Sequence, residues 1–350
     1  MYKLQVTADK LNIRSTPVVD PTNVNWLGDM TSGEVFTAIN LVKGSNGSSD
    51  DWYVDNLNRY VSAAWVIDVT GYQDWMINLR LAEIWKKSTG AGVGVAVVDT
   101  GINTQNPDLL YDKNNNYIFD KTISLEDTNG HGTHCAGLIS ARNKNGNIIG
   151  ISPGCNLYVC KISEEGSLSE PDTTRYADAI DWCANQDNIQ VISISWASFI
   201  NDQSIITQIQ NSVNNAVQKN KVIVCAMGDA SQFNDPGPLY PAALDNVIGI
   251  GSIPVENILY PYINKSLTLI MQGFNIPSYY LNNQIVQMSG TSQSNAIIAG
   301  LIALIIEKQK FNYSQVSIKD ILLGVSPIQT FGKIQIPVID GNLLLKYFQA

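Results

Sequence analysis

The chain contains two histidines, and both lie in the stretch His131-Gly132-Thr133-His134-Cys135-Ala136-Gly137. Imidazole titrates unperturbed between about pH 5 and 8, which makes it the usual general base near neutrality. Histidine-dependent chemistry must therefore be done here. Upstream, the apolar run Val95-Ala96-Val97-Val98 ends in Asp99-Thr100-Gly101, a carboxylate followed by a glycine turn. Far downstream, Met288-Ser289-Gly290-Thr291-Ser292 precedes a helix-like run of small and apolar residues. An acid, an imidazole and a hydroxyl can together carry out nucleophilic catalysis. The base takes the serine proton, and the carboxylate holds the base. Asp99 is expected at a strand end, where it can accept a hydrogen bond from an imidazole. His131 is expected to open a helix, with Gly132 allowing close packing behind it. Ser292 begins another helix, whose free N–H groups and positive dipole end suit a developing oxyanion. Taken singly, each residue has a plainer explanation. An Asp after a strand is commonly a turn residue, and a Ser at a helix start is commonly a cap.

Placing three such groups together needs a rigid frame. From Trp75 onward, long apolar runs alternate with amphipathic segments. The pattern predicts strands over 93–98, 157–162, 191–195, 222–226 and 247–251. It predicts helices over 79–85, 132–141, 176–184, 205–218 and 292–308. Near-continuous apolar strands alternating with helices imply an α/β fold, with a mostly parallel sheet covered by helices on both faces. Sites in such sheets gather at the carboxyl ends of the strands. Asp99, Ser195 and the residues after Ala226 fall at such ends. Residues 1–68 read differently. Short alternating stretches (Leu4–Val6, Leu11–Arg14, Val35–Ile39, Ala64–Val66) are separated by turn-rich pieces at 17–25 and 44–51. They predict a small all-β barrel, with Trp26, Trp52 and Trp65 in its core. The expected division is a barrel at 1–68 and an α/β domain at 69–350.

Composition narrows the function classes. At 350 residues and 45% apolar content, a sizeable core is expected. A net charge of −9 argues against nucleic acid as a partner. No stretch approaches the roughly 20 apolar residues of a membrane span. Gln5, Thr7, Asp9 and Lys10 break up any apolar run that could serve as a secretion signal. The five cysteines are odd in number and form no C-x-x-C pair, so buried free thiols are expected. That usage fits a reducing compartment and predicts a cytoplasmic location, with secretion as the alternative.

The blocks Asp99-Thr100-Gly101, His131 to Gly137 and Gly290-Thr291-Ser292 resemble, in this order, the catalytic blocks of the subtilisin-like serine proteases. Gly150-Ile151-Ser152-Pro153, Val191 to Trp196, Tyr240-Pro241-Ala242 and Ala299-Gly300 support the resemblance in family order. It spans Trp75 to the C-terminus. It implies a serine endopeptidase acting on polypeptide through an acyl-enzyme, with no cofactor required for the chemistry. It implies Asp99 as orienter, His131 as base and Ser292 as nucleophile, leaving His134 as a packed helix residue. It also implies that Ser167, Leu168 and Ser169, with Ser195, Trp196 and Ala197, hold the peptide by strand addition. Ala197 stands where the family has glycine, which would narrow the first specificity pocket. Asp108, Asn143 and Asn145 resemble a structural calcium site, whose oxygen ligands suit a hard cation. An ordinary Asn/Gly turn is the other reading of that loop. In the N-terminal segment, Leu11 to Pro17, Met30 to Val35, Asp51 to Val54 and Ala64 to Val66 resemble bacterial SH3 domains. That resemblance implies a peptide or cell-wall ligand.

Two departures from the family pattern matter. Asp229 occupies the place of an asparagine whose amide supplies an oxyanion donor, and an ionised carboxylate only accepts. Three readings follow: a buried, protonated Asp229 that donates, a slow or acid-shifted enzyme, or a catalytically impaired protein that binds peptides. One member of the prohormone-convertase branch carries Asp at this place. The expectation is therefore an active enzyme with a low-pH bias. After Ser292, Gln293-Ser294-Asn295-Ala296 replaces the family's Met-Ala-x-Pro, which marks a modified site. No inhibitory prodomain is recognisable. A zymogen-like state, with the N-terminal segment covering the cleft, is a further possibility.

Overall fold

The computed structural model describes residues 1–19, 26–44, 51–69, 72–144, 148–228, 237–253, 267–331 and 334–350. The chain forms two compact units, Met1–Lys87 with Asp340–Ala350, and Ser88–Ile339. The division thus falls at 87/88 rather than 68/69, and the C-terminal segment belongs with the N-terminal one.

The first unit is built on short antiparallel strands, in line with an all-β reading. They are β1 (Tyr2–Val6), β2 (Lys10–Arg14), β3 (Trp26–Thr31), β4 (Val35–Ala38), β5 (Asn40–Lys43), β6 (Asp51–Val54), β7 (Tyr60–Ser62) and β8 (Val66–Asp68). One sheet has the order β4-β1-β8 and the other β3-β2-β7-β6-β5. Val6, Leu11 and Val61 form the centre, with Ile13, Met30 and Phe36 packed on them. Of the three tryptophans expected in the core, only Trp52 is buried, at 2% exposure. Trp26 is 49% and Trp65 55% exposed. Trp26 turns its indole N–H to Asp29 Oδ1 at the surface, at 3.0 Å. Trp65 falls in a 3-10 turn, Ala63–Trp65, instead of a strand. Parts of the turn-rich pieces, 20–25 and 45–50, lie outside the described residues.

The helix expected over 79–85 is two short ones, α1 (Asp74–Asn78) and α2 (Leu81–Ile84). Arg80 lies between them at φ 60, a left-handed conformation that ends the first helix. Its guanidinium is buried and fully engaged, as a charge taken out of water must be. Nε donates to Glu83 Oε1 at 2.6 Å, Nη1 to Asn342 Oδ1 at 2.7 Å and Nη2 to the Val6 carbonyl at 3.2 Å. Asn342 belongs to the helix Gly341–Gln349. This residue is one reason the compact unit extends beyond 68 and takes in the C-terminal helix.

The second unit holds β9 (Gly94–Asp99), β10 (Tyr117–Ile118), β11 (Asn156–Lys161), β12 (Val191–Ile194), β13 (Val222–Ala226), β14 (Ile248–Ser252) and β15 (Leu267–Met271). They form a parallel sheet in the order β10-β11-β9-β12-β13-β14-β15. Its helices include α3 (His131–Ser140), α4 (Arg175–Ala184), α5 (Gln203–Gln218) and α6 (Thr291–Lys308). Side chains alternate across a strand, so each strand serves two layers. Ala96, Val98, Ile192, Ile194 and Ile223 pack with Tyr176, Ile180 and Cys183 of α4 and with Ile209 and Val213 of α5. The other face meets α6, where Asn295 bonds Ser193 of β12. Asp99 shares the parity of Val95 and Val97, and so leaves the sheet on the side of α3 and α6. The remaining elements are the hairpin Ile276–Tyr279 with Ile285–Met288, the helix Gln315–Gly324 and the hairpin Ile328–Phe331 with Ile334–Pro337. All five cysteines are buried and free. No described helix is long and apolar enough to cross a membrane.

Candidate active site

The carboxyl end of β9 delivers Asp99, which is wholly buried. Its Oδ1 accepts the Thr100 N–H at 2.8 Å and lies 2.7 Å from His131 Nδ1. That contact orients the imidazole and leaves Nε2 for other partners. His131 is the first residue of α3. Its backbone can lie this close to β9 because Gly132 has no side chain: a Cβ there would sit 2.4 Å from the Gly101 carbonyl oxygen. Gly130, at φ 97, turns the chain into the helix.

Asp127 fixes this turn, and sequence reasoning missed it. Its Oδ1 accepts Thr100 Oγ1 (2.9 Å), Asn129 N (3.0 Å) and Gly130 N (2.8 Å). Its Oδ2 accepts Thr133 N (2.9 Å) and Thr133 Oγ1 (2.6 Å). A carboxylate bonded to the free N–H groups of a helix start stabilises that start. The signal available was Asp127-Thr128-Asn129-Gly130 just before a helix, which reads as a turn until its donors are seen. His134, one turn along α3, is buried, and Nε2 lies 3.2 Å from the Val286 carbonyl. Burial lowers its pKa from 6.5 to about 4, so the ring is neutral at pH 7.

Ser292 comes from the first turn of α6, a helix buried along most of its length. Its hydroxyl donates to the Ser195 carbonyl at 2.7 Å, and Ser195 Oγ donates back to the Ser292 carbonyl at 3.3 Å. This pair of bonds ties the start of α6 to the end of β12. His131 and Ser292 line one cleft of about 650 Å³. Asp99 lies behind the ring, outside the lining. Cys135 Sγ, the Asp99 carboxylate and a His131 ring nitrogen lie within 4.8 Å of one another. Burial, reinforced by the Asp99 charge, pushes the Cys135 pKa well up, so this thiol stays protonated.

Ser167, Leu168, Ser195, Trp196 and Ala197 all line the same cleft. The Trp196 ring lies 6.4 Å from that of His131. Ala197 and Gly228 lie side by side in this wall, a Cβ added to Gly228 falling 3.5 Å from that of Ala197. Ser169 is not part of the lining; its hydroxyl turns to Asp172. Ser198 and Tyr176, not singled out from sequence, add a hydroxyl pair 2.9 Å apart to the lining. Asp229 lies outside the described residues, and so does Asn145. The other two calcium candidates are described. Asp108 is fully buried; Oδ1 accepts the Lys144 N–H at 2.7 Å and Oδ2 accepts the Tyr279 hydroxyl. Asn143 occupies a left-handed turn position. Through these two donors Asp108 cross-links the loop at Lys144 to Tyr279.

A sequence profile described as the subtilase family (peptidase S8) matches residues 90–329. The chain belongs to the subtilase family. Over 261 residues this subtilase is 32% identical to the major intracellular serine protease of Bacillus subtilis (strain 168), covering 70% of this chain and 78% of that one. Over 234 residues it is 30% identical to subtilisin Savinase of Lederbergia lenta, covering 66% and 82%. Among solved structures, MycP1 with its propeptide removed superposes with a TM-score of 0.65 at 26% identity, over 77% of this chain and 96% of that one. Sphericase gives a TM-score of 0.58 at 27% identity, over 68% and 84%. The protein is a subtilisin-type serine protease, and its substrate is polypeptide.

Proposed function

We propose that this subtilase cleaves internal peptide bonds with Ser292 as nucleophile, His131 as general base and Asp99 as the group that orients and stabilises the imidazole. The observation that carries this reading is the 2.7 Å contact between Asp99 and His131 in a cleft that Ser292 also lines. For reaction, the Ser292 hydroxyl turns from the Ser195 carbonyl towards His131 Nε2. His131 takes its proton as Oγ attacks, then gives that proton to the leaving amine. The acyl-enzyme is hydrolysed by the reverse assignment of roles. Buried Asp99 favours the imidazolium that forms between the steps. Substrate backbone is held along 167–168 and 195–197, with Trp196 as an apolar wall. The relatives named are proteases, and nothing favours a role restricted to peptide binding. Labelling of Ser292 by a fluorophosphonate, lost in Ser292→Ala and strongly slowed in His131→Ala, tests the assignment. Wild-type chain that neither labels nor cleaves peptide between about pH 5 and 8 refutes it.

At position 229 a carboxyl group donates to an oxyanion only when protonated, so turnover is expected to rise towards acid pH. Asp229→Asn should raise activity near neutrality. The N-terminal unit is proposed as an SH3-like module for a peptide or cell-wall ligand. A cavity of about 280 Å³ lined by Met30, Phe36, Glu34 and Asp55 supports this. Retention of the full chain on purified cell-wall sacculi tests it. A cytoplasmic location is proposed from the five free thiols and from the name of the intracellular relative. Cell fractionation tests that assignment.

A further inference from the structure

Gln293 follows Ser292 in the first turn of α6. It is 1% exposed, yet it lines the cleft together with His131 and Ser292. Its Nε2 is buried and has no hydrogen-bond partner among the described residues. Its neighbours in the turn are engaged. Thr291 Oγ1 accepts the Gly228 N–H, Ser294 Oγ donates to the Met271 carbonyl, and Asn295 Nδ2 donates to Ser193 and Ser195. A buried donor left unpaired is costly, and native proteins rarely keep one without a use. Because Gln293 lines the cleft next to Ser292, a ligand entering there brings acceptors to its side of the wall. The group that arrives there is the carbonyl of the bond to be cut, and its oxygen becomes negative as Ser292 attacks.

We propose that Gln293 is a catalytic residue whose side-chain N–H donates a hydrogen bond to the oxyanion. The proposal rests on Ser292 being the nucleophile. In the step concerned, the Ser292 Oγ–carbon bond forms and the carbonyl π pair moves onto oxygen. The hydroxyl proton passes to His131, while Gln293 keeps its proton and stabilises the O⁻. On collapse the carbonyl reforms and the amine leaves with the proton from His131. A neutral amide donates at every pH. Gln293 therefore supplies what an ionised carboxylate at position 229 cannot, and it extends activity into the neutral range. Donors of this kind act where charge develops in a site shielded from water, which is where they contribute most.

The test uses the full chain, a peptide p-nitroanilide and a fluorophosphonate probe. Gln293→Met keeps the volume and removes the donor. It should lower kcat by about 10²–10³-fold with KM and melting temperature little changed. Asp229→Asn introduced into Gln293→Met should recover at least about tenfold in kcat, because one donor then replaces the other. Gln293→Glu should be active only on the acid side, where the new carboxyl is protonated, adding a limb to the pH–kcat profile. A purely packing role would add no such limb. Gln293→Met with kcat within about threefold of wild type overturns the proposal. If Gln293→Met does not fold, an unaltered pH profile in Gln293→Glu overturns it instead. Wild-type chain that neither labels at Ser292 nor cleaves overturns the nucleophile assignment first, and this proposal with it.

Discussion

Replacing Asp127 by asparagine should damage the site without touching any residue of the proposed triad. The two side chains have nearly the same shape, so the change is one of charge and donor pattern. With its oxygen kept towards Thr100, Asn129 and Gly130, the new NH₂ group faces Thr133. There it meets the Thr133 N–H, a donor, where Oδ2 had accepted. The Thr133 hydroxyl can accept from the new NH₂ beside the Asn103 N–H it already accepts at 2.9 Å, but its own O–H then loses the carboxylate it donated to. Two charge-assisted bonds are lost in a buried place, at about 1.5–3 kcal/mol each. The expected destabilisation is about 3–5 kcal/mol, comparable with breaking a buried charged pair. For a unit of this size that corresponds to a fall of about 10 °C in melting temperature. The turn before His131 also loosens, and a displacement approaching 1 Å costs about 10²-fold in rate. Circular dichroism melts at pH 7, with peptide hydrolysis at 25 °C, read both effects. A variant that melts within about 2 °C of wild type and retains kcat within twofold would refute the reasoning.

Three further outcomes are expected. His134 is neutral when folded and protonates near 6.5 when unfolded, so its contribution to stability is complete above about pH 6.5. It is lost as pH falls from 6.5 to about 4, at up to about 1.4 kcal/mol per pH unit. Urea midpoints measured across that window should show a flatter slope in His134→Gln than in wild type. Gly132→Ala must push the Gly101 carbonyl away from a 2.4 Å contact, and kcat should fall about 10–100-fold; an unchanged rate means that the backbone there yields freely. The native thiols should resist DTNB and react fully in guanidinium chloride, because burial raises the pKa of Cys155 to about 12 and that of Cys135 well up. Rapid native reaction at Cys135 would contradict its burial.

Much of the protease unit was legible because apolar runs record strands that are buried on both faces. The segment Val222–Ala226 matches its expected bounds, and β9, β11 and β14 differ by a residue at each end. The two hairpins were missed because four-residue strands leave little pattern, and the buried edge strand β15 was missed as well. Proximity of Asp99 to His131 was readable from a strand end and a helix start. Asp127 was not, since its role joins the local turn and helix start at 129–133 to the distant Thr100. In the first unit, alternation located strands but could not say which tryptophan faces inward. Trp26 opens a strand with its indole on the solvent side, and Trp65 sits in a tight turn. Arg80 defeated the helix pattern because its tertiary bonds hold a backbone conformation that local preference disfavours.

The protease unit is an insertion within the sequence of the other unit, entered at Lys87/Ser88 and left at Ile339/Asp340. Two covalent crossings therefore tether it. A nick in either one leaves the two parts of the molecule joined through the other, so shedding the N-terminal unit requires two cuts. Truncation after residue 68 does something else again. It removes Val6 and Ser32 while leaving the Arg80 guanidinium with Glu83 and Asn342 alone. A change in activity after such a truncation would report a damaged hub around a buried charge, and excision at both crossings is the cleaner way to isolate the protease.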